Sequence, residues 1–454
     1  NEQHFVRNKT IFYRGAEPAL KDIIIKKYDH YEILLFLAGV VSTFQAITFH
    51  GITVFSWFLL GLLAIGLAEK RLRRRISFGG SQEILIGLVI LTMSITEIIT
   101  VFLNEYPEWT GRSVKNYILI LAVFGLYLVL RGDFQEEKLL KGKITGGVAT
   151  VYLTENSGEI HEYGKIYFRG IIVSCIIQYI TCYIEYLAYT IKGMDLSLKF
   201  LDVTTKLRDD RPVIVGLTTN PGMLVPVVLI GVCLSGKMAI RIMALVSALL
   251  INSTTCMICL AVYFALYLIV KSREIIVKGW SFNKIVIGAI AIIVIAFLFF
   301  EPLRARIADL YSYAIKRLGN TSGAIGEGLN GFSERAHFRY YWSMPYIFDN
   351  ISLLRILFGF GKNCSGIPFS ELYRQYVGEL WIPETDPIAT LYDVGIVGFA
   401  AMYALLGVLA RDIWKREITS GIFMAVVLIG GIFYGFQMTW IILLELLIWN
   451  RVYD

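Results

Sequence analysis

Long apolar stretches of similar length, set between short loops rich in lysine and arginine, recur along most of the chain and constrain it more than any motif does. A bilayer core about 30 Å thick takes about 20 mainly apolar residues per helix. Such stretches lie near 32–49, 51–68, 82–103, 115–131, 166–190, 212–233, 237–251, 254–270, 285–300, 387–410, 419–436 and 437–450. The expected fold is an all-α polytopic integral membrane protein with about a dozen transmembrane helices. The pairs 32–68, 237–270 and 419–450 have almost no linker, which leaves a tight hairpin or a partly re-entrant element open at each. Composition agrees: 56% of the 454 residues are hydrophobic and 17% charged, with a mean hydropathy of +0.61. Ordinary soluble domains carry about 25% charged residues.

Orientation follows from the excess of Lys and Arg in cytoplasmic loops. Lys70, Arg71, Arg73, Arg74 and Arg75 follow the second stretch; Lys271, Arg273, Lys278 and Lys284 follow the eighth; Arg411, Lys415 and Arg416 follow the tenth. These loops are expected inside, with both termini cytoplasmic. The divisions are a cytoplasmic segment 1–31; helices over 32–300 with a cytoplasmic insertion 132–165 and an outer loop 191–211; an extracytoplasmic loop 301–386; and the last helices with a short cytoplasmic end over 387–454. Loop 191–211 holds Lys192, Lys199, Lys206, Arg208 and Arg211, against the charge rule, and calls for a reason.

The net charge of +7 fits basic loops on anionic headgroups and gives no ground for nucleic-acid binding. Cys175, Cys182, Cys233, Cys256 and Cys259 fall inside apolar stretches, as small apolar residues do, whereas Cys364 is expected outside, exposed and without a partner. A disulfide framework and a structural zinc site are therefore not expected. No cleavable signal pattern precedes the first stretch, so insertion by the first helix is expected. Val151–Thr154 and Glu159–Tyr163 alternate around a turn cluster, which predicts a small cytoplasmic β-hairpin. No repeat, phosphate-cradling loop or nucleotide fingerprint occurs, and no cofactor is expected.

Segment 301–386 is too long for an idle connection. Its aromatics, among them Phe332, Tyr340, Trp342, Phe358, Phe360 and Trp381, provide material for a packed, largely helical lid. Within it Arg335 and Arg339 stand at i and i+4, one helix face. A pair of guanidiniums holds a diphosphate bidentately; a salt-bridged surface face with Glu334 is the other reading. Glu384 and Asp386 precede Pro387 at the mouth of the tenth stretch, where Asp386 also reads as a helix N-cap. Arg208-Asp209-Asp210-Arg211-Pro212 leads into Gly216-Leu217-Thr218-Thr219-Asn220-Pro221-Gly222. Gly and Pro inside an apolar stretch mark a broken helix lining a cavity, and the arginines above it stand where a lipid-linked phosphate would lie, or snorkel as interfacial anchors. Glu97, Glu185 and Glu445 fall inside apolar stretches, where an ionisable residue is a functional candidate by default and pairing with arginines or interfacial placement is the other reading.

An Arg before a Gly-Asn-Pro broken helix, the turn Asn252-Ser253-Thr254-Thr255, a long Arg-rich loop ending in Phe358-Gly359-Phe360-Gly361, and acidic residues before Gly395-Ile396-Val397-Gly398 together resemble the O-antigen polymerase and ligase superfamily over about 200–400. Ligases of that superfamily usually carry His-Asn near Glu384-Thr385; the acidic version here resembles the Wzy-type polymerases of O-antigen and capsule. Gly222 stands where a second Asn is common, and the gap from Arg211 to Asn220 is slightly longer than usual.

The resemblance implies a metal-independent, GT-C-like glycosyltransferase of the bacterial inner membrane. It would move a glycan from an undecaprenyl-diphosphate carrier to another lipid-linked repeat unit, with a flippase and a chain-length regulator as partners. Such a reaction needs positive charge on the departing diphosphate and a base for the acceptor hydroxyl. Arg211, Arg335 and Arg339 are then diphosphate clamps, with Arg208 standing in for Arg211 and Asn220 in the broken helix. Glu384 is the expected base, Asp386 the second choice, and His337 structural. The rival functions are a ligase with a lipid A core or protein acceptor, a transporter or flippase of lipid-linked sugars, which should show paired broken helices, and a SEDS-type polymerase.

Overall fold

The computed structural model describes residues 30–50, 52–68, 81–125, 163–201, 207–208, 211–212, 214–218, 221–251, 253–277, 305, 308, 339–368 and 385–433. Helices dominate them. In chain order they are α1 (His30–Val41), α2 (Val54–Ala68), α3 (Ser81–Leu103), α4 (107–125), α5 (Tyr163–Lys192), α6 (Leu196–Leu201), α7 (Leu224–Leu229), α8 (Met238–Leu250), α9 (Thr254–Val277), α10 (Arg339–Asn350), α11 (Leu353–Phe358), α12 (Asp386–Arg416) and α13 (Ile418–Phe433). Among the described residues three stretches are long and apolar enough to cross a membrane, by length and composition: Ile84–Leu103 of α3, Ile166–Lys192 of α5 and Asp386–Lys415 of α12.

Several boundaries differ from those expected. α1 stops at Val41, where the chain turns into a two-stranded hairpin of β1 (Thr48–Phe49) and β2 (Ile52–Thr53) before α2. Within the described residues α1 and α2 run for 12 and 15 residues. α4 begins eight residues ahead of the apolar stretch at 115, because amphipathic residues extend a helix that hydropathy alone starts late. Residues 151–162 of the predicted hairpin and the stretches 285–300 and 437–450 lie outside the described residues, while Tyr163, expected at the hairpin's end, opens α5.

α1 packs closely along α5. Gly39 and Gly170 allow this: a Cβ on either would strike the other helix's backbone, at the Tyr167 and Phe36 carbonyls respectively. α12 lies between α3 and α13, and α13 continues the contact to α9. One large apolar core joins these helices through residues such as Leu35, Met93, Tyr179, Leu405 and Phe423. A smaller core of Trp109, Ile347, Phe360, Cys364, Ile367, Ile388 and Tyr392 joins the start of α4, helix α10, the segment after α11 and the first turns of α12.

The segment 212–233 is not two helical halves. It enters as a second hairpin, β3 (Leu207–Arg208) paired with β4 (Arg211–Pro212), passes through an irregular turn at 214–218, and becomes helical only at Pro221. α7 then widens into a π turn over Ile230–Leu234. Just ahead of it the Tyr179 hydroxyl donates to the Val227 carbonyl at 2.6 Å, an intrusion of the kind that distorts a helical ladder.

Candidate functional site

Two polar networks stand out among the described residues inside this apolar bundle. The first secures the turn that follows the arginine hairpin. Glu185, buried on α5, accepts from Gly216 N–H at 2.8 Å, from Val215 N–H at 3.3 Å and from the Ser197 hydroxyl at 2.7 Å. Two turns earlier on the same helix, Gln178 Oε1 accepts from Leu217 N–H at 2.9 Å while its amide donates to the Thr43 carbonyl at 2.9 Å. Ala46 N–H donates to the Leu217 carbonyl at 3.1 Å. Three successive backbone N–H groups, from Val215 to Leu217, thus find side-chain acceptors on one helix. Glu185 is held by a serine and backbone amides, the arginine pairing being one of the readings the sequence left open, because the irregular backbone beside it has N–H groups to satisfy.

Upstream of that turn, Arg208 and Arg211 are direct register partners across the β3–β4 hairpin, with Asp209 and Asp210 connecting them. Asn220 lies outside the described residues.

The second network surrounds Phe358-Gly359-Phe360-Gly361. This segment threads between α3 and α12. Phe360 and Gly361 N–H donate to the Tyr392 and Asp393 carbonyls, both at 2.9 Å. Thr96 donates to the Phe358 carbonyl at 2.5 Å, Thr100 to the Phe360 carbonyl at 3.1 Å, and Arg355 Nη1 to the Gly359 carbonyl at 3.1 Å. Every carbonyl from 358 to 360 therefore has a donor. The partner helix is broken to receive the segment: Gly395 has φ 67° and ψ −178°, so α12 is two helical pieces and not the continuous span expected.

Charged side chains close this junction. Lys362 Nζ lies 2.7 Å from Asp393 Oδ2, and Asp393 Oδ1 accepts from Cys364 N–H at 2.9 Å and Ser365 N–H at 2.8 Å. Glu97 accepts from Lys362 N–H at 2.8 Å and from the Ser113 hydroxyl, which lies 2.7 and 2.6 Å from its two oxygens. Glu97 thus takes a serine and a backbone amide, where arginine pairing was one of the readings left open. Arg355, buried on α11, donates through Nε and Nη2 to Glu105 Oε2 at 3.0 and 2.9 Å. The Asn363 amide oxygen faces Arg112, whose Nη2 and Nε are 3.2 and 3.3 Å away.

Cys364 is corrected by the same geometry. It is fully buried, and its thiol faces the Trp109 and Lys362 carbonyls at 3.6 and 3.7 Å. Burial, reinforced by the Asp393 charge, pushes the thiol up to about 12.

Of the remaining expected residues, Arg339 opens α10 and Asp386 opens α12. Asp386 is not the cap: Thr385 holds the cap position, and Asp386 is buried in the first turn before Pro387. The two helices meet in the smaller core, where Ile347 of α10 packs with Ile388 and Tyr392 of α12. Glu384, Arg335, His337 and Glu445 lie outside the described residues. Among the described residues no group of three His, Cys, Asp or Glu side chains stands together as a metal site.

Lys362, Asp393, Ser113 and Arg355 escape a reading by motif. Their one sequence signal is an acid in an apolar span, visible at Glu97, together with the glycine-spaced segment beside Lys362. No family model, no curated protein and no solved structure matches the chain.

Proposed function

We propose that the chain is a polytopic glycosyltransferase of the bacterial inner membrane, with about a dozen helices and both termini in the cytoplasm. It extends a polysaccharide by moving a glycan from an undecaprenyl-diphosphate carrier onto another lipid-linked repeat unit. The observation that carries this reading is the smaller core. It gathers the helix opened by Arg339, the inserted segment around Phe360 and the helix opened by Asp386 at one end of α12. Ile347 of α10 packs there with Ile388 and Tyr392 of α12, which supports reading the two helices as parts of one site.

The opposed Arg208 and Arg211 support it independently. They are register partners across the β3–β4 pair, so a diphosphate bound at this hairpin would lie next to both positions. The departing diphosphate is stabilised by these fixed charges, with Arg335 and Arg339 from the loop side. The acceptor hydroxyl gives its proton to Glu384, or to Asp386 two positions on. The oxygen so freed attacks the anomeric carbon, whose bond to the diphosphate oxygen breaks.

A transporter draws support from one fact, the helix break at Gly395. The carbonyls beside that break are already bonded to Phe360 and Gly361, which favours a fixed scaffold over a pathway that opens.

The test is polymerisation of lipid-linked oligosaccharide, extracted from host membranes, by the purified chain in liposomes. Glu384→Gln should lower the rate by about 10²–10⁴ while the protein stays folded, and Arg211→Lys should shorten the product ladder because a point charge cannot reproduce a bidentate fork. Normal ladders from Glu384→Gln and Asp386→Asn alike would remove the acid from the mechanism.

A further inference from the structure

The positive charge in 191–211 runs against the bias of the other loops, and neither diphosphate contact nor packing accounts for Lys192 and Lys199. The structure around them is specific. On α5 the exposed residues Ile180, Ile184, Leu187 and Ile191 are spaced 4, 3 and 4 apart, a single stripe along one helix face. The stripe does not stop at the helix end. It continues onto Met194, Leu198 and Phe200, of which Phe200 is 73% exposed.

α6 is held so that this face is outward. Ser197, on its other side, is buried and donates to Glu185 Oε1 at 2.7 Å, which turns α6 back alongside α5. Asp195 Oδ1 accepts from Leu198 N–H at 2.9 Å and fixes the first turn. Lys192 and Lys199 are exposed between the apolar side chains, and the Lys199 ammonium lies 5.9 Å from the Phe200 ring centroid. A surface that alternates large apolar groups with lysines, continuous with the lipid-facing stripe of a membrane-length helix, matches the acyl-to-headgroup boundary of a bilayer.

We propose that Ile191–Leu201 is an interfacial anchor in the leaflet at the Lys192 end of α5. Leu198 and Phe200 lie among the upper acyl chains, and Lys192 and Lys199 lie on the phosphates of anionic phospholipids. Each lysine near such a surface contributes attraction that salt screens. The anchor explains why cationic side chains are kept on this loop, and it holds whether or not the chain transfers glycans.

The six native cysteines are all buried, so spin labels can be placed selectively through Leu198→Cys and Phe200→Cys in the full chain. In phosphatidylglycerol-containing liposomes, labels at both positions should collide more with oxygen than with a water-soluble nickel chelate. Greater nickel collision at both would show a water-exposed helix and overturn the proposal. Exclusion of both reagents would overturn it in favour of a second copy or another protein covering the face. In nanodiscs of mixed phosphatidylglycerol and phosphatidylcholine, the Lys192→Gln/Lys199→Gln double variant should retain less phosphatidylglycerol than the parent; equal retention would overturn the assignment of the lysines.

Discussion

The Lys362 ammonium lies 2.7 Å from the Asp393 carboxylate, with only 14% and 2% of the two side chains exposed. The pair joins the inserted segment to the broken helix at the point where both have irregular backbone. Its oxygens and protons are engaged further, since Asp393 also accepts two backbone N–H groups and the Lys362 amide is bonded to Glu97. A pair so committed acts as a scaffold for the first turns of α12, which carry Asp386.

Removing one partner of a buried pair strands the other charge and costs about 3–5 kcal/mol, whereas replacing both is often tolerated. Lys362→Met and Asp393→Asn should each lower the thermal unfolding temperature in detergent, and the double variant should lose less than the sum of the two. Strict additivity in that double-mutant cycle would show that the pair is not coupled.

Gly395 occupies a backbone region that only glycine enters freely, and a Cβ there would meet the backbone of Leu357 and Phe358. Gly395→Ala should therefore destabilise by about 1–3 kcal/mol from backbone strain alone. Gly407, farther along α12, has open space where a Cβ would project, so Gly407→Ala serves as the control and should be neutral or slightly stabilising. Equal unfolding temperatures for the two variants would argue against the break.

Cys364 should react with maleimide far more slowly than a thiol in a peptide, because it is buried and its ionisation is pushed up to about 12. An unperturbed thiol ionises near about 8.5. The folded value lies above the unfolded one, so the thiol's contribution to stability is complete below the unfolded value and is lost as pH rises toward the folded value. Stability of the parent should fall more steeply above that lower value than stability of Cys364→Ser, as followed by unfolding at increasing pH. Rapid labelling of Cys364 in the folded protein would contradict its burial.

Hydropathy by itself pointed to a mostly helical chain with membrane-length apolar stretches, because such a stretch is a local property: the expected 82–103, 166–190 and 387–410 overlap the apolar helices 84–103, 166–192 and 386–415 and need no partner to be legible. Phe358-Gly359-Phe360-Gly361 and Gly395 also stood out in the sequence, as did Glu97 and Glu185 as acids in apolar surroundings. Their arrangement was decided by tertiary structure. The Glu97 contact to Lys362 spans 265 positions and the Thr96 contact to Phe358 spans 262, distances over which no periodicity carries information. Cys364 looked exposed because its loop is polar, yet the loop folds inward to supply N–H donors to Asp393. The break in α12 was likewise hidden, since an apolar run reads the same whether its backbone bonds close within the helix or onto a neighbouring segment. Local composition sets what enters the membrane, while the requirement that each buried polar group find a partner sets where the chain bends once inside.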